Sequence, residues 1–247
     1  MATRKSRRRR RTRAVQQELF RHGGKRRHAG RKPKHGRAGS PHTKRPVIKP
    51  YHALHVVMRV VSAVGSLRRR AMYKAMRDAT ITAALRERIR IVHVSLQRTH
   101  IHMLVEAKDA AALAKGMQGL QVAAARNINT MLGEGKQRRR GQVFADRYHV
   151  EVITSPKQAH HALSYVLNNW RKHREDQEGL ASTWLVDPFS TGILFPDWTE
   201  MAERDLMWPI RETYDPMVVF RPRTWLLAES WKRNGSISAR DVPGSRR

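Results

Sequence analysis

The stretch Thr99-His100-Ile101-His102-Met103-Leu104-Val105 decides how this chain reads. Successive side chains of a β-strand point to opposite faces, so His100 and His102 share one face while Ile101 and Met103 take the other. A half-buried strand ordinarily keeps one face apolar and gives the other to water. Here one face carries two imidazoles, and neutral imidazoles at this spacing can bind the same divalent cation. The plainer alternative is an exposed strand face that happens to hold two histidines.

Working outward, Ile89 to Leu96 reads as the preceding strand, with Gln97-Arg98 as a tight antiparallel connection. Upstream, order is expected from near Val47, with a β-branched strand over His52 to Val61. A helix follows from Gly65-Ser66 to about Glu87, with Ser66 as N-cap and Leu67, Met72, Ala75, Met76, Ala79 and Ile81 among its core positions. Its Arg68-Arg69-Arg70 run reads as a solvated basic face. Downstream, Asp109 caps a long second helix that ends near Leu132, at Gly133-Glu134-Gly135, before a basic loop from Lys136 to Arg140. A fourth strand is expected over Tyr148 to Ile153. A third helix then starts at Ser155-Pro156, where a proline's missing N–H costs little, and runs to about His173. The order β-α-β-β-α-β-α predicts an α+β fold, the ferredoxin-like split βαβ: an antiparallel sheet with helices on one face. The added third helix has to be explained by function.

Three regions are expected. Residues 1–46 hold 18 Lys and Arg against the single acid Glu18, too repulsive and too poor in apolar side chains to fold alone. They read as a disordered basic arm, in which Arg7, Arg8, Arg9, Arg10, Lys25, Arg26 and Arg27 meet phosphates by releasing counterions. Arg138, Arg139 and Arg140 add a second basic cluster for DNA. Residues 47–178 form the folded domain. Residues 179–247, broken repeatedly by prolines and rich in tryptophan, read as an irregular extension packed on that domain and closed by a short helix near Trp225 to Arg233.

The whole chain has 50 Lys and Arg against 20 Asp and Glu, a formal net charge of +30 over 247 residues. So large a surplus points to a polyanionic partner, most simply nucleic acid. No segment approaches the ~20 continuous apolar residues of a membrane span, and no apolar run follows the basic N-terminus to make a secretory signal. The chain has no cysteine, which excludes disulfides, zinc ribbons and thiol catalysis.

On the third helix, Tyr165-Val166-Leu167-Asn168-Asn169 places Tyr165 and Asn169 one turn apart on one face, with His161 continuing the stripe. By its surroundings alone, Tyr165 is a packing residue with its hydroxyl at the rim. His161 either orients that tyrosine or covers the helix, while His149, Lys157 and His160 read as surface groups.

Taken together, the His-hydrophobic-His strand resembles the defining motif of the HUH endonucleases. A single tyrosine on a late helix, with an amide one turn on, resembles their single-tyrosine branch, in particular the REP-associated tyrosine transposases. Gln142-Val143-Phe144-Ala145-Asp146-Arg147-Tyr148 is similar to that family's segment before its fourth strand, and Ile91-Val92-His93-Val94 fits the strand before the histidines. The likeness spans about residues 47–175. It departs at Leu96-Gln97-Arg98-Thr99, where the family usually has Met-Pro-Asn, and at Trp170, where it usually has proline.

The resemblance implies a DNA transposase and endonuclease that nicks and rejoins single-stranded DNA, of hairpin-forming sequence, in a bacterial cytoplasm at the nucleoid. It implies Tyr165 as nucleophile, forming a covalent 5′-phosphotyrosine. It implies His100, His102 and Asn169 as ligands of Mg²⁺ or Mn²⁺, in a monomer or homodimer. The competing expectation is a catalytically inactive or domesticated relative that only binds nucleic acid, which the charge supports equally well.

Overall fold

A computed structural model of the chain describes residues 46–133, 137–177, 179–202 and 214–244. The arm residues Arg7, Arg8, Arg9, Arg10, Lys25, Arg26 and Arg27, together with Lys136 and Trp208, lie outside the described residues.

Four strands, β1 (Ala53–Arg59), β2 (Arg90–Leu96), β3 (His100–Glu106) and β4 (His149–Ile153), form one sheet in the order β2-β3-β1-β4. Every neighbouring pair is antiparallel. With α1 (Arg70–Ala84), α2 (Ala110–Met131) and α3 (Pro156–Lys172) interleaved, this is the split βαβ arrangement that the element order predicts.

Strand alternation sorts the core into two halves. Leu54, Val56 and Met58 of β1 and Ile101, Met103 and Val105 of β3 point to one face, where α1 and α2 cover them with Met72, Met76, Leu113, Met117 and Leu120. Ala53 of β1 and Leu104 of β3 point to the other, where Leu163, Val166 and Leu167 of α3 pack. α3 therefore lies on the sheet face that carries His100 and His102, and the sheet has helices on both sides.

Local chemistry sets the helix ends. The Asp109 carboxylate accepts from the Ala112 N–H at 2.7 Å to start α2, and the Ser155 hydroxyl accepts from the Gln158 N–H to start α3, with Pro156 in the first turn. Gly116 of α2 lies so close to Ile89 that an added Cβ would overlap the isoleucine side chain.

The start of α1 departs from the sequence expectation. Ser66 does not cap it; its hydroxyl instead accepts from the Arg68 N–H at 3.2 Å, and the helix begins only at Arg70, after extended Arg69. Nor is Arg68 part of a solvated face. Its guanidinium grips Asp187 with two hydrogen bonds of 2.9 Å and also pairs with Glu175, and both carboxylates are buried. That triad holds residues 67–69 out of the helix and ties three distant parts of the chain together. Ile81 is half-buried rather than a full core residue, while Tyr73 joins the core unpredicted.

The segment beyond residue 179 completes the sheet face. Phe195, Trp198, Leu226, Leu227, Trp231 and Ile237 share one core with α3. The same segment satisfies the outer edge of β2: the Leu96 N–H donates to Phe189 O and the Phe220 N–H to Ile91 O, each at 2.8 Å. An edge strand left open would be a template for foreign pairing. The expected helix near Trp225 to Arg233 is a short α4 (Trp225–Ala228) followed by a 3-10 turn, Ser230–Asn234.

Removing one partner of a buried ion pair strands the other charge. Asp187→Ala is accordingly expected to cost about 3–5 kcal/mol of stability, read as a lower denaturation midpoint, with Asp187→Asn less damaging. An unchanged midpoint would mean that the Arg68 triad does not hold the extension.

Candidate active site

On the face covered by α3, Tyr165 and four histidines form a connected set of ring contacts in which Tyr165 meets His55 and His102, and His100 joins His102 to His173. Antiparallel pairing sets Arg59 opposite His100 and Val57 opposite His102. His55, two residues along β1 on the same face, is thus the diagonal neighbour of His102. Their rings stack 5.3 Å apart, with His55 Nε2 3.1 Å from His102 Nδ1. His100 meets His102 edge-on at 5.0 Å. Tyr165 comes down from α3 with its ring edge-on to both His102, at 5.2 Å, and His55, at 5.8 Å.

The helix delivers a stripe. Tyr165, Asn169 and His173 recur every four residues, one turn apart. Tyr165 touches His102 at one end of the stripe, and His173, just past the end of α3, touches His100 at the other, with ring centroids 5.4 Å apart. Asn169 lies between them and is completely buried. Lys172 places its ammonium 4.7 Å from the centre of the Tyr165 ring.

These groups are electrostatically prepared to act as ligands. Burial holds the His102 imidazole far below its ordinary protonation range, and the neighbouring His55 and His100 push the same way. Burial also lowers His100, with help from His173 and Arg59. In His55, burial outweighs the opposing pull of Glu151. At neutral pH the cluster is therefore uncharged and its ring nitrogens carry lone pairs.

The tautomers follow from the partners. Glu151 can only accept, and its Oε2 lies 3.8 Å from His55 Nδ1, which draws the single proton of neutral His55 to that nitrogen. His55 Nε2 then accepts from His102 Nδ1, and His102 Nε2 is left with a lone pair. That Nε2 is buried and has no hydrogen-bond partner among the described residues, and the same is true of both amide atoms of Asn169. Buried polar atoms without partners are costly, so their occurrence on the Tyr165–His173 stripe and on the strand whose histidines that stripe touches is informative. No cluster of three or more His, Cys, Asp or Glu suited to a metal occurs among the described residues. A set of three donors here needs the Asn169 amide oxygen with His100 and His102, a donor chemistry that fits a divalent cation completed by water.

The other sequence candidates fall elsewhere. Asn168 donates to Ser238 O at 2.9 Å and serves the extension. His161 is exposed, and with Ser164 and Tyr165 it lines a groove of about 820 Å³ whose far wall is Thr199, Ser236 and Asp241. His149 and Lys157 are exposed. Arg139 turns inward to hold the Asn129 side-chain oxygen at 2.8 Å, whereas Arg138 and Arg140 stay exposed. His55 and His173 were not singled out by sequence reasoning. His173 extends the stripe of His161, Tyr165 and Asn169, a signal open to sequence; His55 gives none without the strand register.

A family model described as "Transposase IS200 like" matches residues 49–169. No curated protein matches the sequence. Among solved structures, the chain is similar to a REP-associated tyrosine transposase bound to a REP hairpin, at 16% identity and a TM-score of 0.47, over 74% of this chain and 99% of that one. It is also similar to a crystal structure from Deinococcus radiodurans R1 described as a candidate transposase, at 14% identity and a TM-score of 0.35, over 51% of this chain and 91% of that one.

Proposed function

Through residues 49–169 the chain belongs to the IS200-like transposase family, and from that premise we propose that it nicks and rejoins single-stranded DNA by a covalent tyrosine mechanism. The observation that carries this reading is the packing of the Tyr165 ring against His102, 5.2 Å away, at the head of an open groove. An inactive nucleic-acid-binding relative would have no need to keep that arrangement.

Tyr165 Oη attacks the scissile phosphorus, the P–O3′ bond breaks, and the 5′ end stays on the tyrosine while the 3′ oxygen leaves with a proton as a hydroxyl. The phenol proton passes to water in the groove. The Lys172 ammonium, 4.7 Å from the centre of the ring, places positive charge next to the attacking residue. The ester keeps the bond energy, so attack by a 3′ hydroxyl reverses the step and joins strands without nucleotide hydrolysis.

His100, His102 and Asn169 would hold Mg²⁺ or Mn²⁺, which when bound supplies charge against the non-bridging phosphate oxygens. His55 fixes the His102 tautomer, and Asn169 adds an oxygen without adding negative charge. A partner that orients a ligating histidine is ordinarily worth about 10- to 100-fold in metal affinity. His55→Ala is therefore expected to weaken Mn²⁺ binding by about that factor in a titration followed by electron paramagnetic resonance, with His55→Gln intermediate. Unaltered Mn²⁺ affinity in His55→Ala would remove His55 from the ligand's support.

The substrate is read as single-stranded DNA of hairpin-forming sequence. Exposed Arg138 and Arg140, and the basic residues 1–46, supply phosphate contacts. No helix among the described residues is long and apolar enough to cross a membrane. The reaction is tested by incubating the protein with end-labelled single-stranded DNA and Mn²⁺ and denaturing it. Label from the 5′ side of the cut should remain as a free strand ending in 3′-OH, and label from the 3′ side should travel with the protein. Release of both fragments free would mean hydrolysis rather than covalent capture.

A further inference from the structure

The end of the sheet remote from Tyr165 carries a second cleft, of about 540 Å³, between the start of β2, the end of β3 and the start of α4. β3 runs from His102, which meets the Tyr165 ring, to Glu106 in this cleft, four residues or about 13 Å of strand. Tyr51 and Trp225 line it, and they are 60% and 52% exposed. Arg88, Arg90, Lys108 and Arg223 line it as well, with Glu87 as an acid on its wall.

The carboxylate of Glu106 in this cleft is already engaged, accepting from the N–H groups of Arg223 and Thr224 and from the Thr224 hydroxyl, and pairing with Arg90. The exposed charge that remains is mainly positive. Each ring also has a cation over it: Lys49 Nζ 5.6 Å from the centre of Tyr51 and the Arg233 guanidinium 4.8 Å from the centre of Trp225.

Single exposed aromatic rings are ordinary on a protein surface. Two in one cleft, each beside a cation and flanked by further cations, have the composition of a stacking platform for unpaired bases, with the cations placed for the phosphates between them. An acidic peptide would use the charges, but only a nucleic acid presents a flat π-face at every unit of its chain to set against both rings.

We propose that this cleft is a second binding site for single-stranded nucleic acid, in which Tyr51 and Trp225 stack on bases while Arg88, Lys108 and Arg223 meet the backbone. It rests on the reading of the chain as a DNA-handling protein, and it gives the strand a hold about 13 Å along β3 from the cutting site.

The test uses the full chain and a fluorescently labelled single strand of about 20 nucleotides, followed by anisotropy. Tyr51→Ala with Trp225→Ala should weaken binding by about tenfold or more, while adduct yield at saturating DNA is retained. Arg88→Glu with Lys108→Glu, both at exposed positions, guards against loss of fold in the ring variant. It should weaken binding at least as much and flatten the salt dependence. Wild-type affinity in both variants would overturn the proposal. So would weakening by charge reversal alone, which marks a general anionic surface that an acidic peptide would also fit. A wild-type protein that forms no adduct but loses affinity in both variants would keep this site and remove the covalent mechanism instead.

Discussion

Tyr165→Phe is expected to abolish the covalent protein–DNA adduct while leaving affinity for single-stranded DNA nearly unchanged. The substitution removes one oxygen, keeps the ring against His102 and His55, and leaves the basic surface untouched. The chain has five tyrosines, and the structure disqualifies the rest by position. Tyr73 is buried, with its hydroxyl hydrogen-bonded to Tyr214 and Asp215 O, and the Tyr214 hydroxyl donates to Pro188 O. Tyr148 is buried just before β4, and Tyr51 lines the cleft at the other end of the sheet. Because phenylalanine offers no alternative nucleophile, the loss should be complete rather than graded. Gel separation of the denatured reaction measures it, with anisotropy reporting binding in parallel. An undiminished adduct would remove Tyr165 as the nucleophile.

The second large effect concerns the histidine pair. His100→Ala with His102→Ala removes both imidazole donors, and cleavage should fall by roughly a thousandfold, about 4 kcal/mol of transition-state stabilisation, with no recovery as Mn²⁺ is raised. Asn169→Ala leaves both imidazoles and removes only the amide. Its loss should be smaller and partly recovered at high Mn²⁺, because a weakened site refills by mass action. The amide is fully buried, so a fold check by circular dichroism accompanies the rate measurement. If Asn169→Ala follows the wild-type metal curve, the amide is not a ligand. His173, beside His100, then becomes the next residue to replace.

Much of this architecture was legible because local chemistry states it. Ser155-Pro156 and Asp109 announce helix starts that need no tertiary information, and period-two alternation in β3 forces His100 and His102 onto one face whatever surrounds them. The one-turn spacing of Tyr165 and Asn169 likewise belongs to the helix alone. The residues that escaped notice are those fixed by register and by irregular chain. His55 stands in an apolar strand and acquires meaning only because antiparallel pairing sets it diagonally across from His102. Arg68 looks like one member of a basic run until Asp187 and Glu175, more than a hundred residues away in sequence, reach it. Ser66 has the chemistry of a cap, but the Arg68 triad claims the chain before a helix can begin there. The extension carries no periodicity from which to foresee that it would seal the edge of β2 and wall the Tyr165 groove. Its tryptophans did signal packing, and Trp198 and Trp231 are buried, yet Trp225 is left at the surface where it lines the distal cleft.

The central claim is that one tyrosine on α3 takes a DNA end onto its own oxygen, and peptide mass spectrometry of the isolated adduct tests it most directly. Digestion with trypsin after nuclease trimming should yield the peptide Gln158–Arg171 carrying a nucleotide phosphate, with fragmentation placing the added mass on Tyr165. Mass on any other residue, or an unmodified Tyr165 in protein that has cleaved its substrate, would contradict the account.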